Sequence, residues 1–179
     1  LFNKYEEIEV QLRLYRFNPA LFNIRALCSK SYGHKRADVK TLAKLSGTVA
    51  IINSSYFDTQ GNPLAYLRCD GKLINKKVAT HGLYSGIFFV KQGRPYIVHA
   101  SKFDPAIEIS DAVQAGPRLI SKGKNIVGLK NIYAIHHRSG IALDRKGNII
   151  IYATNSQYSG VSWNTLQHIL KLKKIGGYE

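Results

Sequence analysis

The stretch Gly86-Ile87-Phe88-Phe89-Val90-Lys91-Gln92-Gly93-Arg94-Pro95-Tyr96-Ile97-Val98-His99-Ala100 decides the fold class. Two runs rich in branched and aromatic residues flank a Gln-Gly pair, and such a pair between strand-like runs reads as a hairpin turn. The same punctuation returns at Asp70-Gly71, Lys122-Gly123 and Lys146-Gly147-Asn148. Strand-like runs lie beside these turns at residues 64–68, 117–120, 139–144 and 148–153. Towards the start, Val10-Gln11-Leu12-Arg13-Leu14-Tyr15 alternates with period two and predicts a strand. Asn18-Pro19 turns it, and residues 21–28 read as its partner. Asp38 is placed to cap a short helix through Lys44, with Val39, Leu42, Ala43 and Leu45 as its apolar face and Gly47 as its stop. Residues 48–52 then read as a buried strand. Ser162 caps a last helix with Trp163, Leu166, Ile169 and Leu170 on one face and Gly176 at its end. Many hairpins and few helices argue an α+β fold: a mostly antiparallel or mixed sheet with a few packed helices.

A length of 179 residues suits one domain with a real core, and 45% hydrophobic residues argue against disorder. No apolar run reaches the ~18 residues that a membrane-spanning helix needs. Twenty-six lysines and arginines against 11 acids leave a formal charge of +15. Such a surface attracts anions. Lipopolysaccharide, teichoic acid, phospholipid headgroups, a phosphorylated glycan and simple solubility all fit it. Nucleic acid is admitted but not favoured. The basic residues are spread along the chain, without zinc-finger spacing, an RNP-like aromatic strand or a basic region with heptads. Cys28 and Cys69 have no Cys-x-x-Cys spacing, and the sequence leaves open one disulfide or two free thiols.

Two motifs carry polar cargo that packing does not ask for. Ile51-Ile52-Asn53-Ser54-Ser55-Tyr56-Phe57-Asp58 runs from apolar residues into an amide, small residues and an acid. Gln114-Ala115-Gly116-Pro117-Arg118 pairs an amide with an arginine about sixty residues later. Strand ends that deliver such groups build ligand sites on rigid scaffolds. Arg138-Ser139-Gly140-Ile141-Ala142 is a third segment of this kind, preceded by His136-His137.

In order and spacing these segments resemble the phosphodiester glycosidase family. Residues 53–57 match its Asn-Gly-Gly-Phe-Phe-like segment, with serines for both glycines. Residues 114–120 match its Gln-x-Gly-Pro segment and apolar pair, residues 138–142 its Arg-Thr-Ala-Ile-Gly-like strand, and residues 165–176 its terminal helix. The resemblance runs from about residue 8 to the end, so residues 1–179 form a single domain of this type. One departure is that the chain reaches Gly176-Gly177-Tyr178-Glu179 where the family's Asn-Leu-Asp-Gly-Gly-Ser-like acidic motif is expected.

The resemblance implies a hydrolase that cleaves a sugar-1-phosphodiester, acting on a phosphorylated glycan or another anionic carbohydrate. It also implies an exported protein, periplasmic, secreted or lumenal, although the sequence shows no signal peptide. Two other readings compete with it: a non-catalytic module for anionic glycans or envelope polymers, and a basic nucleic-acid binder. Arg138 and Arg118 are the expected phosphate clamp, since guanidinium forks match phosphate oxygens bidentately. Asn53 and Gln114 would orient sugar hydroxyls, Tyr56 would stack on a ring, and Gly116 is a further candidate substrate-binding residue. Asn53, Gln114 and Arg138 are therefore expected to line one cleft. Asp58, Asp144 and His137 are the candidate acid–base groups, though both aspartates also stand where turns begin. His81 lies in a loop and is a weaker candidate. No cofactor is evident, no metal cluster stands out, and a divalent cation has no assignable ligand set.

Overall fold

A computed structural model describes residues 11–155, 157 and 160–179. Three of the expected turns close hairpins in which both central residues have positive φ: Asp70-Gly71 at 52° and 74°, Gln92-Gly93 at 49° and 74°, and Lys122-Gly123 at 50° and 75°. That is the type I′ geometry, whose twist matches that of the flanking strands. The turns join β2 (Leu67–Cys69) to β3 (Lys72–Asn75), β4 (Gly86–Lys91) to β5 (Arg94–His99), and β7 (Ile120–Ser121) to β8 (Lys124–Asn125). With β6 (Ala112–Ala115), the first four strands form an antiparallel sheet of order β3-β2-β6-β4-β5.

A second sheet has order β1-β10-β9, also antiparallel. Its strands are β1 (Leu12–Phe17), β9 (Ser139–Leu143) and β10 (Ile149–Thr154). β10 is central, and Ile149, Ile150, Ile151 and Tyr152 are buried in succession because both faces of the strand are covered. On one face Ile149, Ile151 and Leu143 meet Phe88 and Ile97 of the five-stranded sheet. On the other, Tyr152 packs with Leu166, Leu170 and Trp163 of α2 (Trp163–Lys171). Beyond the five-stranded sheet, Ile87 and Phe89 join Tyr66, Phe103 and Ile109. The order is therefore α2, small sheet, large sheet, covering loop. Full burial of a side chain such as Ile149 contributes about 1.5–3 kcal/mol.

Both helices start as their caps dictate. Asp38 accepts from the Thr41 amide at 2.7 Å to open α1 (Val39–Ser46), and Gly47 ends it with φ 62°. Ser162 accepts from the Thr165 amide at 3.0 Å to open α2, and Trp163, Leu166 and Leu170 pack on the small sheet as their spacing predicts. The cysteines form a Cys28–Cys69 disulfide across 41 residues, a closure that stabilises by about 2–4 kcal/mol. Beside it, Asp111 accepts from the Ala26 and Asp70 amides at 3.0 Å each.

Four expectations change. Of the run 117–120, residues 117–119 form no strand and only Ile120 enters β7. Residues 48–52 form no strand: Val49 is 87% exposed, and only Ile52 reaches the core between the sheets. The partner of β1 is β10, so residues 21–28 run as irregular chain held by the disulfide and Asp111. α2 stops at Lys171, and a turn leads to Gly176 at φ 65°. Val10 lies outside the described residues. No helix among the described residues is long and apolar enough to cross a membrane.

Candidate functional site

The polar groups gather where β9 begins. Arg138, just before the strand, is fixed through its backbone: its amide donates to Thr154 Oγ1 at 2.9 Å and its carbonyl accepts from the Thr154 amide at 2.8 Å. Its guanidinium lies 4.5 Å from the centre of the Trp163 ring and reaches the Val161 and Ala134 carbonyls at 3.4 and 3.3 Å. No carboxylate pairs with it among the described residues. Burial lowers its pKa, and nearby Tyr56 and Tyr152 oppose the shift.

Tyr152 stands near Arg138. Burial pushes its hydroxyl pKa up to about 12, against the pull of Arg138 and with a further push from Tyr56. Its hydroxyl sits over Gly140, where an added Cβ would force the buried tyrosine to shift. Tyr56 donates its hydroxyl to the Gly116 carbonyl at 2.6 Å, and burial raises its pKa while Arg138 counteracts. Gly116 has φ 154° and presses on the Leu83 carbonyl, 2.6 Å from where a Cβ would stand. The Tyr56 ring meets Tyr84 edge-on at 5.5 Å, and Tyr84 meets His81 at 6.1 Å. Arg138, Tyr56 and Tyr152 thus share one electrostatic neighbourhood, with Gly116, Tyr84 and the exposed His81 extending from Tyr56.

Asn53 is exposed, and its Oδ1 accepts from Ser139 Oγ. Neighbouring strand residues point to opposite faces. Ser139 therefore lies on the side of Ile141 and the inter-sheet core, while Arg138 and Gly140 lie on the side of Tyr152 and α2. Asn53 and Arg138 flank the start of β9 from its two faces, and Tyr56 is the member of the Asn53 segment that comes near Arg138. The single cleft expected for Asn53, Gln114 and Arg138 is not what the structure builds.

Gln114 has a different task. It is fully buried, and its amide is saturated by main chain. Oε1 accepts from Tyr66 and Ala79 amides at 3.1 and 3.2 Å, and Nε2 donates to the Ala79 and Tyr84 carbonyls. It orders the loop that presents Tyr84 and has no capacity left for a sugar. Arg118 is likewise engaged. It bonds Glu179 at 2.5 Å and Ser121 at 2.9 Å, with the two charged side chains 11% and 17% exposed.

The two aspartates head identical loops. Asp58-Thr59-Gln60-Gly61-Asn62 and Asp144-Arg145-Lys146-Gly147-Asn148 share the pattern Asp-x-x-Gly-Asn. In each, Oδ1 accepts two loop amides at 2.8–2.9 Å and Oδ2 accepts the Asn side chain. Hydrogen bonds from Asn62 lead in holding the Asp58 pKa below the ordinary aspartate value. At Asp144 burial works upward, but Asn148, the Lys146 amide and the Arg16 charge outweigh it and the net shift is down. Both carboxylates serve as turn anchors, and Asp144 stands at the far end of β9 from Arg138. His137 is exposed, with Nδ1 3.5 Å from Thr154 Oγ1. Tyr84 and Tyr152 were not among the expected site residues. The run of residues 148–153 reads as core, and nothing local marks its tyrosine. Among the described residues no cluster of three or more metal-ligating side chains occurs.

The family model for phosphodiester glycosidases matches residues 46–178. In fold, the chain is similar to the catalytic domain of zebrafish N-acetylglucosamine-1-phosphodiester alpha-N-acetylglucosaminidase, auto-inhibited by pro-peptide, with a TM-score of 0.65 and 14% identity. That match covers 95% of this chain and 69% of the zebrafish one. A hypothetical protein from Synechocystis is similar with a TM-score of 0.51 and 14% identity, over 94% of this chain and 50% of that one. At this identity the likeness speaks for the fold. No curated protein matches the chain in sequence.

Proposed function

The chain belongs to the phosphodiester glycosidase family, and on that premise we propose that it hydrolyses the bond between a sugar's anomeric carbon and a phosphodiester. The observation that carries this reading is Arg138: a partly buried guanidinium without a counter-charge among the described residues, braced by Trp163 and two carbonyls. Such a group favours a phosphate oxygen whose negative charge grows as the bond breaks. In the proposed step water adds to the anomeric carbon, the bond from that carbon to the phosphate oxygen breaks, and its electron pair stays on that oxygen, where Arg138 stabilises it. The phosphate is a good leaving group, so strong acid assistance is not required. His137, exposed beside Arg138, is the proposed acceptor of the water's proton. Tyr56 and Tyr84 offer ring edges and faces to the sugar. Asp58, Asp144, Gln114 and Arg118 act through the frame: each is occupied by bonds within the chain. The Cys28–Cys69 disulfide supports an exported location, since such bonds persist in oxidising compartments.

The test is release of free sugar from a panel of sugar-1-phosphodiesters. Turnover of at least one, with reducing sugar and phosphomonoester as products, is expected. Release of the alcohol with sugar 1-phosphate as the other product would overturn the reading.

A further inference from the structure

The end of β9 remote from Arg138 carries a cationic surface that no carboxylate neutralises among the described residues beyond the pairs named here. Four separate segments are bonded together there. Arg16 donates to the Lys174 and Ile175 carbonyls and pairs with Asp144 at 3.5 Å. The Gly123 amide donates to the Tyr178 carbonyl at 2.9 Å, and the Lys122 amide to Glu179 at 3.0 Å. The Arg145 guanidinium lies 5.2 Å from the centre of the Tyr178 ring. This weave brings together six exposed cations: Lys122, Lys124, Arg145, Lys146, Lys173 and Lys174. The two carboxylates in the weave are already spent inside it, Asp144 on Arg16 and Glu179 on Arg118. A share of the +15 charge that the sequence spreads along its length is thus concentrated by the fold at one place.

We propose that this surface docks the remainder of a polyanionic substrate, a chain of repeated sugar phosphodiesters whose reacting unit lies at Arg138. The proposal rests on the hydrolase reading above and names its substrate class. β9 spans four residue steps, roughly 13 Å, between the two ends. An extended chain of several phosphates bridges that distance, whereas a single diester occupies only the Arg138 end. The surface is broad, basic and drawn from several elements, which suits repeated charge rather than one bidentate anion.

The experiment compares a synthetic oligomer of sugar-1-phosphodiester units with its single-unit counterpart. The triple variant Lys124→Gln, Lys146→Gln and Lys173→Gln changes exposed side chains outside the candidate site, with circular dichroism as the folding control. The expected result is a rise of about tenfold in KM for the oligomer, with kcat/KM for the single unit within about twofold of the parent. Equal KM for the oligomer in parent and variant overturns the proposal, as does an equal loss on both substrates. If the parent turns over neither substrate, the hydrolase reading falls, and direct titration of the oligomer decides the surface separately. Parent binding weakened about tenfold in the variant then supports it, and unchanged binding overturns it. Tighter binding of a DNA oligonucleotide of equal charge than of the glycan oligomer overturns the substrate assignment.

Discussion

Arg118 and Arg138 stand in similar sequence settings, each beside a motif with small and polar residues, yet the fold gives them opposite fates. Arg118 is drawn inward to Glu179 and Ser121, with the ion pair 11% and 17% exposed. Arg138 rests on an aromatic ring and two carbonyls and keeps its charge unmatched among the described residues. The first arginine fastens the β7–β8 hairpin to the chain's last residues; the second has charge left to offer a ligand. A motif position therefore says that an arginine is needed, and its partner says what for.

The largest expected effect separates the two by function. Arg138→Ala should lower kcat/KM for a sugar-1-phosphodiester by about 10²–10³, the scale for removing one group that stabilises developing charge. It should also lose about 1–2 kcal/mol of stability, because two carbonyls and a cation–π contact lose their partner. Arg138→Lys should restore part of the charge and little of the rate.

Next comes stability. Glu179→Ala leaves Arg118 largely buried without its counter-charge, a change that costs about 3 kcal/mol and lowers Tm by roughly 6–12 °C. Thermal unfolding checks it, and an unchanged Tm would mean that Arg118 is not the fastening described. Trp163→Ala should cost about 2 kcal/mol through lost packing on Tyr152 and Leu166. Because it removes the ring beneath Arg138, it should reduce kcat as well, whereas Glu179→Ala should leave kcat close to the parent value below its own Tm.

A smaller effect is acid sensitivity. The Asp144 carboxyl titrates below its unfolded value of about 3.9, so its contribution is fully present above that pH and is lost as pH falls through the lower folded value. Asp144→Asn should flatten this part of the stability profile below about pH 4. Asp58→Asn, in the matching loop, should act in the same direction, since hydrogen bonds from Asn62 hold that carboxyl down as well. A stability profile unchanged in both variants would contradict the anchoring role given to the two loops.

What the sequence made legible is what short-range chemistry decides. Gln-Gly and Asp-Gly pairs close the hairpins, Asp38 and Ser162 cap the helices, and both Asp-x-x-Gly-Asn loops form at positions where turns are expected. The family resemblance also comes out of the sequence, and the family model over residues 46–178 agrees with it. What stayed hidden depends on partners far along the chain. β1 pairs with a strand more than 130 residues later, Arg118 with a residue 61 positions away, and Gln114 with backbone 30–48 positions back. Residues 48–52 have a strand's composition but no neighbour in either sheet to complete a ladder. The face on which Arg138 projects follows from the register of β9 on β10, and no local pattern carries that register.

The chain holds a single tryptophan, Trp163, and it lies directly against Arg138, so its fluorescence reports on that guanidinium. Titrating the protein with a sugar 1-phosphate should change Trp163 emission saturably, with the change abolished in Arg138→Ala and retained in Lys124→Gln. A saturable change that survives in Arg138→Ala, or no change in the parent protein, would contradict the claim that the unpaired charge of Arg138 is where the phosphate is held.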